Sequence, residues 1–381
     1  MLLKIAGLCF RRRKPVVAAN IRRILVIKLC CIGDFLFTTP LLRALAANYP
    51  QARMTYMVGS WGRELVAADP RVSDMIIFDA YDQAGIFTKI SRIWKAVREI
   101  RKGDFDLAFV LHRTPLAGIM AAAGGARIRI GFDWEGNGFS LTYPVAFRGD
   151  HHEVDRNLDC LKALAAAPEG NWMELNPPAE ALDAAEAFLR RHPWTRSHGP
   201  LIAVFPGGGV NPGTVMTTKR WSAAGYRDVC RQLVQHFNAR LLLVGSAQDK
   251  RIGDEILEDQ AWAKDVGRAE GKTNLVVLAG LLKLCDLFIG GDSGPLHIAA
   301  AVGTPTVALF GPTDPDLLAP RGKAHRVVRK PLACAPCFTP RKRQGEDAGC
   351  PLGTVQCMRE ITAEDVMCAA EELLATRDKG K

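Results

Sequence analysis

Arg22–Leu29 (RRILVIKL) is an apolar run rich in β-forming residues, followed by a short glycine-containing turn and then helical spacing from Phe35 to Asn48. Ala52–Val58, Met75–Asp79 and Asp106–Leu111 repeat the strand pattern, and Trp61–Ala68 and Thr88–Arg101 show helical spacing between them. Strand and helix patterns alternating at this interval predict a parallel sheet with helices on both faces. Ligands of such sheets bind at the carboxyl ends of the strands.

A proline-rich break at Asn176–Pro178 precedes a charged helical stretch, Ala179–Arg191, and then Pro193 and His198–Pro200. A domain boundary is expected there. The rhythm restarts with strand Leu201–Phe205, helix Trp221–Phe237, strand Ala239–Val244 and helix Asp249–Leu257. Asn274–Leu284 contains a strand-like LVV. Thr273 as N-cap and apolar residues at Leu275, Leu278, Leu281 and Leu282 favour a helix instead. Strand Asp286–Ile289, a glycine-rich turn, helix Pro295–Val302, strand Thr304–Leu309 and a last helix over roughly Ala363–Ala375 complete the pattern. The expected fold class is α/β, with two Rossmann-like, doubly wound parallel-sheet domains facing a cleft. The expected segments are a basic arm (1–20), an N-terminal domain (21–176), a linker (177–200), a C-terminal domain (201–360) with a Cys-rich segment (334–357), and a terminal helix (361–381).

Composition narrows the class. The 381 residues are 48% hydrophobic and 24% charged, which excludes a disordered chain, a collagenous rod and a small disulfide scaffold. No uncharged apolar run approaches the ~18 residues needed to cross a bilayer. The net charge of +10 is concentrated in two acid-free blocks, Met1–Gly33 and Arg321–Gly345, each with eight Lys or Arg. Such blocks favour an anionic partner, although Arg11, Arg12, Arg13 and Lys14 also suit a solvated terminus. Met1–Phe10 is apolar apart from Lys4 and precedes that basic cluster, the reverse of a secretory signal. An arm lying on an anionic membrane surface is the functional reading. No aromatic-interleaved basic surface points to nucleic acid.

Three loops can carry chemistry. Gly33 and Asp34 follow the first strand, where Gly33 allows a tight backbone and Asp34 is either a helix N-cap or a general base. No G-x-G-x-x-G is present, which argues against a dehydrogenase. Gly207, Gly208 and Gly209 end the first strand of the second half, and Thr214, Thr217, Thr218 and Lys219 follow before a helix. Exposed N–H groups, hydroxyls and a lysine suit a phosphate or pyrophosphate, and the segment is not a Walker P-loop. Asp292, Ser293 and Gly294 join a buried strand to a helix opened by Pro295, so the helix dipole favours an anion there. Asp292 is either a cap or a ligand contact. His297, one turn on, suits packing as well as function.

RILVIKLCCIGDFLFTTPLLRAL, VFPGGG with TTKRW, LLLVGSAQD and DLFIGGDSGPLHIAAAVGTPTVALFGPTDP resemble glycosyltransferase family nine, the ADP-heptose:lipopolysaccharide heptosyltransferases of GT-B fold. The resemblance spans roughly residues 22–375. It implies inverting transfer of a heptose from a nucleotide diphosphate heptose to a hydroxyl of the lipopolysaccharide inner core. Asp34 would be the general base, Thr214 and Lys219 would hold the donor diphosphate, and Asp292, Ser293 and Gly294 would form the second phosphate-side loop. Gln248 or Asp249 would take the nucleoside contact, where certain relatives carry Glu. No catalytic cofactor is implied, and the enzyme would work in the cytoplasm or peripherally on the inner face of the inner membrane. The N-terminal arm and Gly131–Tyr143 are expected to vary with the acceptor. Two other readings use the same features: a nucleotide-sugar epimerase or hydrolase of GT-B fold, and a non-catalytic anionic glycolipid-binding protein.

Of eleven cysteines, seven are scattered and read as small buried residues in a reducing compartment. Cys334, Cys337, Cys350 and Cys357 form C-x2-C-x12-C-x6-C, which suits either a structural zinc ion or free thiols.

Overall fold

The computed structural model describes residues 21–377, apart from 30, 80–84, 193, 195–198, 212–213 and 339–348. The basic arm therefore lies outside the described residues. The chain divides into two compact units, residues 1–173 and 174–381.

The first unit is built on β1 (Arg23–Ile27), β2 (Arg53–Val58), β3 (Val72–Ile77), β4 (Leu107–Val110), β5 (Ile128–Asp133) and β6 (Tyr143–Ala146). All neighbours pair in parallel, in the order β3-β2-β1-β4-β5-β6. Parallel central strands are covered on both faces, so they must be apolar throughout. β1 meets this requirement with Ile24, Leu25, Val26 and Ile27, all fully buried. In register, Ile24 lies between Met54 of β2 and Leu107 of β4. The chain leaves β1 to one side and returns on the other with β4. The connections after these two strands therefore diverge, opening a crevice at their carboxyl ends.

The second unit repeats the plan with β7 (Leu201–Phe205), β8 (Arg240–Leu243), β9 (Val266–Arg268), β10 (Leu287–Gly291), β11 (Thr306–Leu309) and β12 (His325–Val328). Its order, β9-β8-β7-β10-β11-β12, is the same, so the reversal falls between β7 and β10. Helix Ala179–Arg190, in the segment expected to link the domains, packs on helix Leu275–Lys283 of this unit. A Cβ on Gly280 would stand 2.7 Å from the Ala181 carbonyl oxygen, so a glycine permits the close approach. Helix Ala363–Arg377 buries Val366, Met367, Ala370, Leu373 and Leu374 in the core, and Trp221 Nε1 donates to the Ile361 carbonyl at 3.0 Å just before it.

Several expectations change in detail. The helix expected over Phe35–Asn48 is two, Ile32–Leu36 and Thr39–Asn48, with Pro40 in the first turn of the second, where its missing N–H costs nothing. Asn274, not Thr273, caps the Leu275 helix by accepting from Val277 N–H at 2.8 Å. β5, β6, β9 and β12 are absent from the expected pattern, as are the helices Pro115–Ala123 and Glu153–Asp159.

Candidate active site

At the end of β1, Lys28 turns inward and the chain enters helix Ile32–Leu36, of which Gly33 is the buried second residue and Asp34 the third. Gly33 thus serves a helical turn rather than a tight loop. Asp34 is not the N-cap. It sits inside the first turn, where its Oδ2 accepts from Cys31 N–H at 3.2 Å. Oδ1 faces Lys28 Nζ at 3.5 Å, and the Asp34 side chain keeps 19% exposure. Structural tether and solvent access therefore coexist on one carboxylate.

Lys28 is 4% exposed and donates to Glu153 Oε1 at 2.7 Å. Arg156 pairs with the other carboxylate oxygen from one turn along helix Glu153–Asp159. Burial works against the charged Lys28, but the carboxylates of Asp34 and Glu153 prevail and hold its pKa above the usual value. Burial likewise penalises ionised Glu153, and Lys28, Arg156 and Arg113 together hold it well below the carboxylate range. Burial pulls the Arg156 pKa down. Arg113, three residues beyond the end of β4, places Cζ 5.1 Å from the Phe147 ring centroid, and Arg156 places Cζ 4.8 Å from it. Three cations and two carboxylates thus surround the carboxyl ends of β1 and β4. Of these, only Asp34 stands out in the sequence as a candidate for chemistry. Lys28 was legible in the motif, but Arg113, Glu153 and Arg156 lie far away in sequence and carry no motif.

In the second unit the loop after β7 needs its glycines. Gly208 has φ +106° and Gly209 φ +75°, conformations that side chains rarely adopt. A Cβ on Gly207 would collide with Asp249 Oδ1, and one on Gly208 would stand 3.3 Å from Ser293. The β7 and β10 loops are therefore in close contact. Arg220 Nε donates to the Gly208 carbonyl at 2.8 Å and fixes the loop from its far end.

Asp292 directly follows β10 and is buried. Its Oδ2 accepts from Lys219 Nζ at 2.7 Å, and its Oδ1 lies 3.4 Å from His297 Nε2. Burial alone would raise the Asp292 pKa, but Lys219 and His297 hold it well below the usual range. Ser293, with extended φ and ψ, is the N-cap of helix Gly294–Ala301, so Asp292 is not the cap, and its carboxylate anchors Lys219. Lys219 Nζ also lies 6.0 Å from the Phe338 ring centroid. Thr218 sits half-buried beside Lys219 in the turn Thr217–Lys219. Thr214 belongs to a short antiparallel hairpin, Val210–Asn211 with Thr214–Val215. Gln248 is exposed in the turn after β8. Asp249 is buried and caps that turn, its Oδ2 accepting from Ser246 N–H at 2.8 Å and from Ser246 Oγ at 2.7 Å. Gln248 is thus the more accessible of the two residues considered for a nucleoside.

Cys337, Cys350 and Cys357 line one small cavity with Thr218, Pro312 and Phe338, while Cys334 is exposed. Cys350 Sγ accepts from Val355 N–H at 3.4 Å. Among the described residues no three His, Cys, Asp or Glu side chains are grouped to hold a metal ion. The four cysteines, as their side chains stand, form no such group. The second basic block is partly neutralised, because Arg326 pairs with Glu372 and Lys330 with Asp365, each at 2.7 Å; residues 339–345 lie outside the described set.

Comparison with known proteins agrees with this fold. The profile of Glycosyltransferase family 9 (heptosyltransferase) matches residues 93–346. Lipopolysaccharide heptosyltransferase 2 of Escherichia coli K12 is 28% identical over 324 residues, covering 81% of this chain and 88% of the relative. The crystal structure of a family 9 glycosyl transferase from Veillonella parvula superposes with TM-score 0.80 at 24% identity, covering 95% of this chain and 99% of that one. The E. coli ADP-heptose lps heptosyltransferase II superposes with TM-score 0.73 at 24% identity, covering 93% and 99%. The two like-ordered parallel sheets are those of the GT-B fold, and the chain belongs to glycosyltransferase family 9, the heptosyltransferases.

Proposed function

We propose that this enzyme transfers a heptose from ADP-heptose to a hydroxyl of the lipopolysaccharide inner core, inverting the anomeric centre. The observation that carries the reading is Asp34, a partly exposed carboxylate at the carboxyl end of β1 with the buried Lys28 ammonium 3.5 Å from it. In the first unit, Asp34 takes the proton of the acceptor hydroxyl as that oxygen bonds to the anomeric carbon. The bond from that carbon to the β-phosphate oxygen breaks on the opposite face, and the nucleoside diphosphate departs with the electron pair. A single displacement inverts the centre.

In the second unit, Lys219 and the amino end of helix Gly294–Ala301 meet the developing charge. An ammonium has three N–H donors, and the bond to Asp292 occupies one, which aims the remainder. The glycines of the β7 loop allow the pyrophosphate to approach the backbone. The similarity to an E. coli protein named for ADP-heptose supports the choice of donor. A lipid-linked acceptor accords with work at the cytoplasmic face of the inner membrane.

Incubation with ADP-heptose and a panel of truncated core acceptors, read by mass spectrometry, tests the assignment. One acceptor gaining a single heptose, with ADP released in equal amount, is the expected result. Donor turnover with no acceptor product would instead favour an epimerase or hydrolase, and no turnover would favour a binding protein.

A further inference from the structure

Helix Ile86–Gly103 is anchored at one end only. Ala96, Val97 and Ile100 are buried in the first unit's core, whereas every residue from Gly85 to Ser91 is exposed. The exposed part is nevertheless apolar: Ile86 is 64% exposed, Phe87 86%, Ile90 45% and Trp94 60%. At 100° per residue these four fall within about a quarter to a third of the helix circumference, a single face. Large apolar side chains on one exposed face mark an interaction surface rather than scattered surface residues.

The charge of the same helix says what covers that face. It carries Lys89, Arg92, Lys95, Arg98, Arg101 and Lys102 against one acid, Glu99, which pairs with Lys102 at 2.9 Å. Arg98 and Arg101 continue the azimuth of the apolar face toward the carboxyl end, and Lys95 flanks it. A protein partner would need a groove for the aromatic residues and separate acidic groups for the cations. An anionic bilayer surface offers both, acyl chains beneath a sheet of negative headgroups. No described helix is long and apolar enough to cross a membrane, so the contact is one of lying on the surface.

We infer that helix Ile86–Gly103 docks this enzyme on an anionic lipid surface, with Ile86, Phe87, Ile90 and Trp94 inserted at the headgroup boundary and the cations against the headgroups. The inference stands on the surface of this helix and not on the proposed reaction, and its readout is lipid binding.

The test is co-sedimentation of the full chain with vesicles of phosphatidylglycerol and phosphatidylethanolamine, beside neutral phosphatidylcholine vesicles, with thermal melts to verify folding. Wild-type protein is expected to bind the anionic vesicles at least tenfold more tightly than the neutral ones. Phe87→Ser with Trp94→Ser is expected to weaken that binding at least tenfold while leaving the melt unchanged, because both side chains are exposed. As an independent readout, brominated lipids should quench tryptophan fluorescence in the wild type, and Trp94→Phe should bind normally but lose most of that quenching. Unchanged vesicle binding in the double variant would overturn the inference and assign any lipid contact to another segment, such as residues 1–20. Equal binding to neutral vesicles would overturn it too, as would a concentration-dependent dimer abolished by the same substitutions, which would make the face a contact between copies.

Discussion

Lys28 Nζ stands 3.5 Å from Asp34 Oδ1 at the carboxyl end of β1, and the lysine is enclosed while the aspartate reaches solvent. A buried ammonium beside a partly open carboxylate fixes where the carboxylate can point. A general base needs such a fixed direction to meet the proton it receives. The enclosed ammonium is itself satisfied by Glu153 behind it, so the three groups act as a chain from core to surface.

That chain gives the first prediction. Glu153→Gln removes the carboxylate between Lys28 and Arg156 and leaves two buried cations short of a counter-charge. Breaking a buried pair in this way costs about 3–5 kcal/mol. Urea denaturation should show a midpoint lowered accordingly with an unchanged slope. A shift of less than about 0.5 kcal/mol would mean that the pair is solvated and contributes little.

Acid gives the second. The Glu153 and Asp292 carboxyls are both held below their usual range in the folded chain, so the unfolded chain binds protons first as pH falls. Their contribution is complete above about pH 4–4.5, the unfolded values, and is lost progressively below it as the pH approaches the folded values. Melting temperature should therefore drop steeply below about pH 4. Asp292→Asn should start from a lower melting temperature at pH 7 and fall less steeply in acid. Parallel acid limbs for the two proteins would remove Asp292 from this account.

The fold was readable where burial forces a continuous apolar run. β1, β2, β4, β7, β8, β10 and β11 lie inside their sheets and are written mostly in apolar residues and glycine, and their place in the alternating pattern followed. β3, β6, β9 and β12 are edges. β9 has only three residues, and β12 reads His325-Arg326-Val327-Val328, so neither shows an apolar run. The interior strand β5 was missed for another reason, since Arg129 and Gly131 interrupt Ile128, Ile130 and Phe132.

The site divided in the same way. The glycine loops and Asp292-Ser293-Gly294 stand out because loops at strand ends need particular backbone freedom or capping. Asp34 was legible, but its place inside a helical turn was not. That depended on the helix breaking at Phe37–Thr38 rather than running on to Asn48. Glu153 and Arg156 were invisible because only the tertiary fold brings a residue 125 positions away to Lys28.

Lys219 gives the third prediction. If its ammonium holds the donor diphosphate, Lys219→Ala should weaken ADP binding by about 1.5–3 kcal/mol, the range for a hydrogen bond to a charged group, or roughly 10- to 150-fold. Isothermal titration with ADP reads this directly. Asp292→Asn should weaken ADP binding less, because it misaims the lysine without removing it. Equal affinity in Lys219→Ala and wild type would place the phosphates elsewhere.

Gly208 gives the fourth. At φ +106°, with Ser293 and Phe205 at 3.2–3.3 Å from where a Cβ would be, alanine meets both an unfavourable backbone and a crowded site. Gly208→Ala should destabilise the protein by more than about 1 kcal/mol. It should also weaken ADP binding, since the loop can relax only by moving away from Ser293. A variant with unchanged melting and unchanged ADP affinity would show that the loop is loose.

The most direct test is single-turnover transfer by Asp34→Asn, which keeps the size of the side chain and an acceptor for Cys31 N–H while removing the base. At saturating ADP-heptose and acceptor, the transfer step should slow by about 10²- to 10⁴-fold, the usual worth of a general base, with ADP affinity unchanged. A transfer rate within about threefold of wild type would contradict the assignment of Asp34 as the group that receives the acceptor's proton.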